Sequence, residues 1–352
     1  MVRTGDDELD FQPLVTREGW RAFADAPRPE APTLLPEAAW LGLDPLERDA
    51  YDRARMTHHM RLLVVATPAI RHITTTGRKL LAYNAPKATG RRGLIVSGPS
   101  GTGKSTAVQQ LGKKYHVDTM RQANPHSDRI PVAYIVVPSG ATPKMLSIEL
   151  ASFLGLPIRP RASQHEITNA VCTVLRKVRC GMVIVDEIHN LDLSTRAGAE
   201  ASDQLKYFYE QIRATFVYAG IDVAEHGLFS GLRGRQIAGR FLTIHTSAFG
   251  DNGAEERSDW KKIIATMEQA LRLHRHAPGS LVRLAPYLQE RSAGSIGALD
   301  QLIHQAANDA ITDGTERITK RHLDEILLDT ASQGEPWALP APQGRPGRKA
   351  AS

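Results

Sequence analysis

Cysteine, aromatic residues and long apolar runs are all scarce in this sequence. Only two of the 352 residues are cysteine, and aromatic residues make up 6%. No stretch approaches the roughly 20 consecutive apolar residues of a membrane-spanning helix, so we expect no membrane association. The two thiols, Cys172 and Cys180, lie in no metal-binding pattern, which excludes a disulfide-rich scaffold and favours a reducing, cytoplasmic setting. The acidic N-terminus is unlike a secretory signal, and we expect none.

The overall composition is typical of a globular protein with a sizeable core. Hydrophobic residues make up 41% of the chain and charged residues 23%. The formal net charge of +6 and the pI near 9.3 are compatible with a nucleic-acid partner. Many proteins of this charge bind no nucleic acid, so charge alone does not identify a partner.

The most informative pattern lies in residues 93–106. A short apolar run predicts a buried strand, the sequence G-x-x-x-x-G-K-S follows, and a helix-compatible stretch comes next. This is a phosphate-binding loop in its strand–loop–helix setting, where backbone N–H groups and the start of the helix surround phosphate oxygens. Lys104 is placed to reach the outer phosphates, and the Ser105 hydroxyl to ligate Mg²⁺. The predicted nucleotide-binding residues are Gly98, Pro99, Ser100, Gly101, Thr102, Gly103, Lys104, Ser105 and Thr106.

Acidic residues follow two other predicted strands. Asp186 and Glu187 end the apolar run 182–185, and ligands of open α/β sheets bind at this end of the strands. We expect Asp186 to hold Mg²⁺ and Glu187 to polarise an attacking water. Asp222 follows the strand predicted near 216–218, where it either faces the γ-phosphate or caps a turn.

Other candidate residues are basic. Arg233, Arg235 and Arg240 precede the strand predicted at 241–244. One of them could stabilise charge on a nucleotide bound by a neighbouring subunit, and a solvated basic loop is the alternative. Histidine pairs at 58–59 and 274–276 have no acidic or cysteine cluster beside them and are interpreted as surface residues.

The order of elements predicts an α/β fold followed by a helical unit. Strands near 94–96, 132–137, 182–185, 216–218 and 241–244 alternate with helices, which predicts a parallel five-stranded sheet flanked by helices. After residue 260 only helical periodicity remains. We therefore predict an extended or disordered arm (1–43), a helical segment and linker (44–92), the nucleotide-binding domain (93–250), a small all-α C-terminal lid (251–330) and a disordered basic tail (331–352).

These motifs, in this order, resemble an AAA+ ATPase, and more narrowly the TniB/TnsC group of Mu B-like, ATP-dependent regulators of DNA transposition. The resemblance covers about residues 45–330. It is carried by Arg61 to Thr67-Pro68, Gly93 to Thr106, Val136-Val137-Pro138 with Thr142-Pro143-Lys144, Val185-Asp186-Glu187-Ile188-His189, Gly239-Arg240-Phe241 and Gly294-Ser295-Ile296-Gly297. Many AAA+ lids read Gly-x-x-Arg at the last of these, whereas this chain has Gly297 in place of the arginine.

The resemblance implies a function. It implies Mg²⁺-dependent ATP hydrolysis between subunits of a ring or filament, with Arg240, or Arg235 as second choice, as the arginine finger. The homo-oligomer would assemble on double-stranded DNA through backbone contacts and recruit a transposase. A DNA initiator or loader, a signalling ATPase that gates a protein partner and a small-molecule phosphotransferase are the alternatives, and Glu187 argues against the last.

Overall fold

The protein is built on one parallel sheet. A computed structural model describes residues 12–27, 29–61, 64–124, 128–191, 195–223, 239–250 and 253–328. Its strands are β1 (Gly93–Ser97), β2 (Val132–Val136), β3 (Met182–Asp186), β4 (Thr215–Gly220) and β5 (Phe241–His245). They pair in parallel in the order β2-β3-β4-β1-β5. Every residue of β1, β3 and β4 is buried, as expected for parallel strands covered on both faces. The predicted five-stranded parallel sheet is confirmed.

Local sequence signals explain where the flanking helices begin. Thr67 and Thr142 each cap a helix that starts with proline, a residue whose missing N–H costs nothing in the first turn. Ser163 and Glu166 form the reciprocal capping box of the next helix. The helices around the sheet are α4 (Pro68–Asn84), α5 (Lys104–Gln122), α6 (Pro143–Phe153), α7 (Gln164–Lys177) and α8 (Arg196–Gln211), with a 3-10 turn at Ile188–Asn190.

The C-terminal part is helical and has its own core. Trp260, Leu288 and Leu302 are among the buried residues of a second hydrophobic cluster, separate from the cluster around the sheet. The helices here are α9 (Ala254–Ala270), α10 (Ser280–Arg283), α11 (Ala285–Ser292), α12 (Ile296–Thr312) and α13 (Lys320–Glu325). They form the small all-α unit that the periodicity predicts after the sheet. No helix of the described part of the chain is both long and apolar enough to cross a bilayer.

The helices before the sheet divide between the two cores. Helix α3 (Pro45–His59) packs on the C-terminal helices, whereas α4 packs on the sheet. The Arg55 guanidinium is fully buried and makes a bidentate ion pair with Glu316, with oxygen–nitrogen distances of 2.7 and 2.8 Å. The segment predicted as a helical connection thus contributes to the lid as well as to the nucleotide-binding domain.

The predicted arm requires a correction. Within its described residues, helices α1 (Arg17–Asp25) and α2 (Glu37–Leu41) replace the extended chain expected from the prolines. Each helix buries one tryptophan. Trp20 stacks on Tyr134 of β2 with ring centroids 5.4 Å apart, and Trp40 stacks on His274 at 4.4 Å. Burial of a large aromatic side chain offsets the entropy of ordering a short helix. The predicted disordered tail, 331–352, lies outside the described residues.

Candidate nucleotide site

The loop between β1 and α5 has the backbone that phosphate binding needs. Gly101 and Gly103 have φ angles of 72° and 82°, in the left-handed region that favours glycine. The Thr102 hydroxyl donates to the Pro99 carbonyl at 2.9 Å and lies 2.8 Å from the Thr246 hydroxyl, which follows β5. Because an added Cβ at Gly103 would meet no atom within 4 Å, the space beside the loop is open to a ligand. The loop is therefore a pre-shaped cradle for phosphate oxygens.

Lys104 joins the loop to the acidic residues. Its side chain is buried, and its ammonium group donates to the Pro99 carbonyl at 2.5 Å. Burial lowers the pKa of Lys104, and three carboxylates act in the opposite direction. These carboxylates belong to Glu187, Asp186 and Asp222. The fold thus brings the predicted lysine and all three predicted acids to one edge of the sheet.

Asp186 is held rigidly at the end of β3. It is 2% exposed, and its two carboxylate oxygens accept bonds from the Tyr134 hydroxyl and the Glu187 N–H, each at 2.9 Å. Burial raises the pKa of Tyr134, and the charge of Asp186 raises it further, so the phenol remains a donor. Tyr134 is absent from the sequence-based site. Val136 pairs in parallel with Asp186, and Tyr134, two residues before Val136, lies on the same face of the sheet. Knowledge of the register between β2 and β3 would therefore have identified Tyr134.

Glu187 has an unusual backbone and a histidine partner. Its φ of 55° is uncommon for a residue with a side chain and marks strain of the kind found at functional sites. The His189 Nε2 atom lies 3.3 Å from the Glu187 carboxylate. The Ile221 N–H donates to His189 Nδ1 at 3.3 Å, and because an N–H only donates, the proton of a neutral ring sits on Nε2, facing Glu187. His189 therefore ties Glu187 to the end of β4.

Asp222 lies in the turn that follows β4. Its φ is 42°, and the next residue, Val223, donates its N–H to the Ser97 hydroxyl at 2.9 Å. Ser97 is the last residue of β1, so this bond fixes the turn beside the start of the phosphate loop. A strand-end carboxylate next to the loop is the arrangement that the sequence predicts for Asp222.

The C-terminal helical unit touches the phosphate loop directly. The Ser295 hydroxyl and the Gly297 N–H donate to the Gly101 carbonyl at 3.2 and 3.3 Å. An added Cβ on Gly101 would lie 2.4 Å from the Ser295 hydroxyl oxygen. A hydroxyl and a backbone amide of the C-terminal unit therefore make the contact with the loop.

A cavity of about 270 Å³ lies between the loop and the lid. Its polar wall is the phosphate loop together with Glu187, and its apolar wall includes Val65, Ile70 and Ile296. Val65 precedes α4, Ile70 lies in its first turn and Ile296 begins α12, so two separate segments close the site. None of these three residues was among the site residues predicted from sequence, because apolar side chains carry no sequence mark of ligand contact.

The predicted arginine finger lies far from its own phosphate loop. Arg240 precedes β5, and its carbonyl accepts from the N–H of Gly93 at 3.0 Å, at the edge of the sheet where β1 begins. A five-residue strand spans roughly 16 Å, which exceeds the reach of an arginine side chain. The guanidinium of Arg240 lies 3.9 Å from the Glu210 carboxylate and is half exposed. It could act only on a nucleotide held by another copy of the chain. Arg235 lies outside the described residues.

Part of the chain matches the model of a known family. The model of the family described as "Bacterial TniB protein" matches residues 55–250, which contain the phosphate loop, the three predicted acids and all five strands. No curated protein matches the chain.

Comparison with solved structures shows the fold. The chain superposes on ORC2 of Aeropyrum pernix with a TM-score of 0.57 at 18% identity, covering 72% of this chain and 65% of ORC2. For ORC1 of the same organism, solved in complex with DNA, the TM-score is 0.59 at 14% identity, covering 77% of this chain and 68% of ORC1. For Drosophila ORC bound to DNA the TM-score is 0.53 at 14% identity, covering 88% of this chain and 71% of the ORC chain. The chain spans just under two thirds of the length of A. pernix ORC2.

Proposed function

The chain belongs to the TniB family and has the AAA+ fold, and we propose that it binds ATP and hydrolyses it to ADP and phosphate. One observation carries the proposal. Lys104 of the phosphate loop is buried, and the carboxylates of Asp186, Glu187 and Asp222, which follow or end neighbouring strands, lie within electrostatic reach of it. A cradle for phosphates and a set of acids at one edge are the two parts that nucleotide hydrolysis requires.

The residues divide into holding and reacting groups. The loop N–H groups and Lys104 hold the phosphates, and Ser105 and Asp186 fit a site for Mg²⁺ because both offer the hard oxygen ligands that this ion prefers. A bound Mg²⁺ would neutralise part of the negative charge of the phosphates. Glu187 accepts the proton of the attacking water, and the His189 N–H keeps the carboxylate in place.

The apolar wall of the cavity indicates where the base of the nucleotide would lie. The apolar residues Val65, Ile70 and Ile296 face the polar loop across one cavity, so the base would pack between the start of α4 and the start of α12 in the lid. Because Gly101 bonds to Ser295 and Gly297, ligand binding at the loop and movement of the lid are mechanically linked. We infer that nucleotide state changes the position of the lid.

We further propose that the ATP-bound protein assembles as a homo-oligomer on double-stranded DNA and recruits a transposase. Family membership and the net charge of +6 support this, and the similar fold of A. pernix ORC1 is known in complex with DNA. The half-exposed Arg240 is available to the phosphate loop of a second copy. Lys113 of α5 donates to the carbonyls of Phe23 and Ala26, so we assign it to holding α1 and not to DNA.

We propose that the protein works in a reducing compartment, and its two thiols support this assignment. Cys172 and Cys180 are both free and buried, and burial raises the pKa of each. The described part of the chain thus has no disulfide, which supports assignment to a reducing compartment such as the cytoplasm.

The test is ATP hydrolysis with and without duplex DNA at two salt concentrations. Wild type is compared with Glu187→Gln and with the matched control Glu200→Gln, whose carboxylate pairs with Arg196 on α8, outside the site. We expect Glu187→Gln to lose hydrolysis by about a hundredfold or more, as for removal of a general base, and to stay on DNA as an ATP-bound assembly. DNA stimulation should fall at the higher salt because phosphate contacts release counterions.

Two results would separate the parts of this proposal. If wild type hydrolyses ATP but DNA changes neither the rate nor retention of the Glu187→Gln variant, the DNA and transposase assignments are wrong and a signalling ATPase is the better account. If wild type hydrolyses no ATP under any condition, the assignment of the acids to hydrolysis fails.

A further inference from the structure

A second, larger cavity opens at the opposite edge of the sheet from the phosphate loop. Its volume is about 560 Å³, and it lies where the chain enters β1, β2, β3 and β4. Five arginines line it, and the described residues that line it include no Asp or Glu. We call it the arginine cavity, defined by Arg91, Arg129, Arg176, Arg179 and Arg213.

The parallel topology brings these arginines together. Arg91 precedes β1, Arg129 precedes β2 and Arg213 precedes β4, so three separate segments present a basic residue at the same edge. Arg176 and Arg179 come from the end of α7 and the turn before β3. No two of the four segments are close in sequence, and their charges converge only because all four strands run in one direction.

Arg176, Arg179 and Arg213 are exposed at the rim of the cavity, whereas Arg91 and Arg129 lie deeper. Arg91 is 7% exposed and is held by the carbonyl of Tyr209 at 3.3 Å. The Arg129 Nε atom is buried and has no hydrogen-bond partner. Arg213 donates to the Ala85 carbonyl at 3.0 Å, which is a neutral acceptor. A buried guanidinium group and an unpartnered buried donor call for an acceptor that the described part of the chain does not supply.

The positive charge of the cavity is unbalanced. None of the five arginines forms a salt bridge with an acid in the described part of the chain. Burial lowers the pKa of Arg91, and the nearby charge of Arg213 lowers it further. Arginine remains protonated in proteins, so the field of five charges inside a concave surface concentrates anions there. The missing partner is therefore an anion.

The shape of the cavity selects among anions. Leu81, Leu175 and Tyr115 provide apolar walls beside the arginines, and the volume lies in the range of small-molecule sites. Arg91 is buried. A phosphate group of a rigid DNA duplex reaches such a position less easily than a free phosphate group does. We propose that the arginine cavity binds a small phosphorylated molecule through bidentate guanidinium contacts. This site is independent of the ATP site, which lies at the other end of strands that span roughly 16 Å.

Pyrophosphate binding in the absence of a working phosphate loop tests the proposal. In a Lys104→Ala background, with a chelator present to remove Mg²⁺, inorganic pyrophosphate and ADP are titrated calorimetrically. The test variant adds Arg176→Gln and Arg213→Gln, two exposed arginines of the cavity. The control adds Arg159→Gln and Arg161→Gln, which are exposed, lie outside the cavity and change the net charge equally.

We expect saturable binding in the background and in the control, and a loss of about tenfold or more in the test variant, since two charge-assisted contacts are removed. Tighter binding of ADP than of pyrophosphate would identify a nucleotide as the ligand, and equal binding would identify the phosphate groups alone. Absence of saturable binding by either probe would overturn the proposal, as would equal loss in test and control variants. Retention of duplex DNA that depends on the two arginines, with neither probe bound, would overturn it in favour of a DNA contact.

Discussion

Protonation of one buried histidine should weaken the packing of α3 on the lid. His59 is 2% exposed at the end of α3. The Arg272 N–H donates to its Nε2 atom at 2.9 Å, and Nδ1 lies 3.2 Å from the Asn308 side-chain oxygen. Because a backbone N–H only donates, His59 is neutral and its proton sits on Nδ1. The sequence predicts a surface position for this histidine, and the structure shows the opposite.

The size and sign of the effect follow from the pKa of His59. The pKa of His59 is lowered from 6.5 to about 3, chiefly by burial; the bond to Asn308 opposes this shift, and the nearby charges of His58, His304 and Arg55 add to it. Above pH 6.5 neither the folded nor the unfolded state binds a proton here, so the stability is complete. As the pH falls below 6.5, only the unfolded state is protonated until about pH 3 is reached. Between pH 7 and pH 5 the protein should lose about 2 kcal/mol of folding free energy through this residue.

Urea unfolding at pH 7 and pH 5, followed by tryptophan fluorescence, measures this loss. Other histidines contribute to the total pH dependence, so the informative quantity is the difference between wild type and His59→Gln. We expect the variant to be less stable at pH 7 but to lose about 2 kcal/mol less than wild type on going to pH 5. His165→Gln, an exposed position on α7, serves as the control and should leave the pH dependence unchanged. Equal losses in wild type and His59→Gln would refute the reasoning.

Three further substitutions test other contacts. Arg55→Met should destabilise the fold by about 3–5 kcal/mol in urea unfolding, because it leaves the buried Glu316 carboxylate without its bidentate partner. Tyr134→Phe should cost about 1–3 kcal/mol and raise the Mg²⁺ concentration needed for nucleotide binding, because Asp186 loses its hydroxyl donor. Gly101→Ala should reduce ADP affinity, measured calorimetrically, by about tenfold, because it adds about 1–2 kcal/mol of left-handed strain and a contact with the lid hydroxyl.

Two of these substitutions have a matched control variant, and the third has a result that would contradict it. For the ion pair, Arg53→Met removes an exposed arginine of α3 and should change stability by less than about 1 kcal/mol. For the tyrosine, an unchanged Mg²⁺ requirement would show that the hydroxyl does not position Asp186. For the loop glycine, Gly90→Ala has a similar φ of 66° with no atom within 4 Å of an added Cβ. If Gly90→Ala lowers ADP affinity as much as Gly101→Ala does, the contact with the lid is not the cause.

The sequence by itself determined the features whose cause is local. The phosphate loop depends on glycines and a lysine within one short segment, and the capping box of α7 depends on Ser163 and Glu166, three residues apart. The five strands were predictable because parallel strands covered on both faces are apolar along their whole length, a pattern visible without the fold. The placement of Asp186 and Glu187 beside the loop followed from the rule that strand ends of a parallel sheet share one edge.

Tertiary structure alone decided which distant residues meet. Tyr134 bonds to Asp186 across 52 positions, and Arg55 pairs with Glu316 across 261. Helix α3 joined the lid core, and Trp20 ordered a helix in a segment that its prolines predict to be extended. Periodicity reports which face of a helix is apolar but not which surface covers it, since burial is a property of contacts between segments. For the same reason, five arginines scattered over 123 positions gave no pattern in the sequence and form a single cavity in the fold.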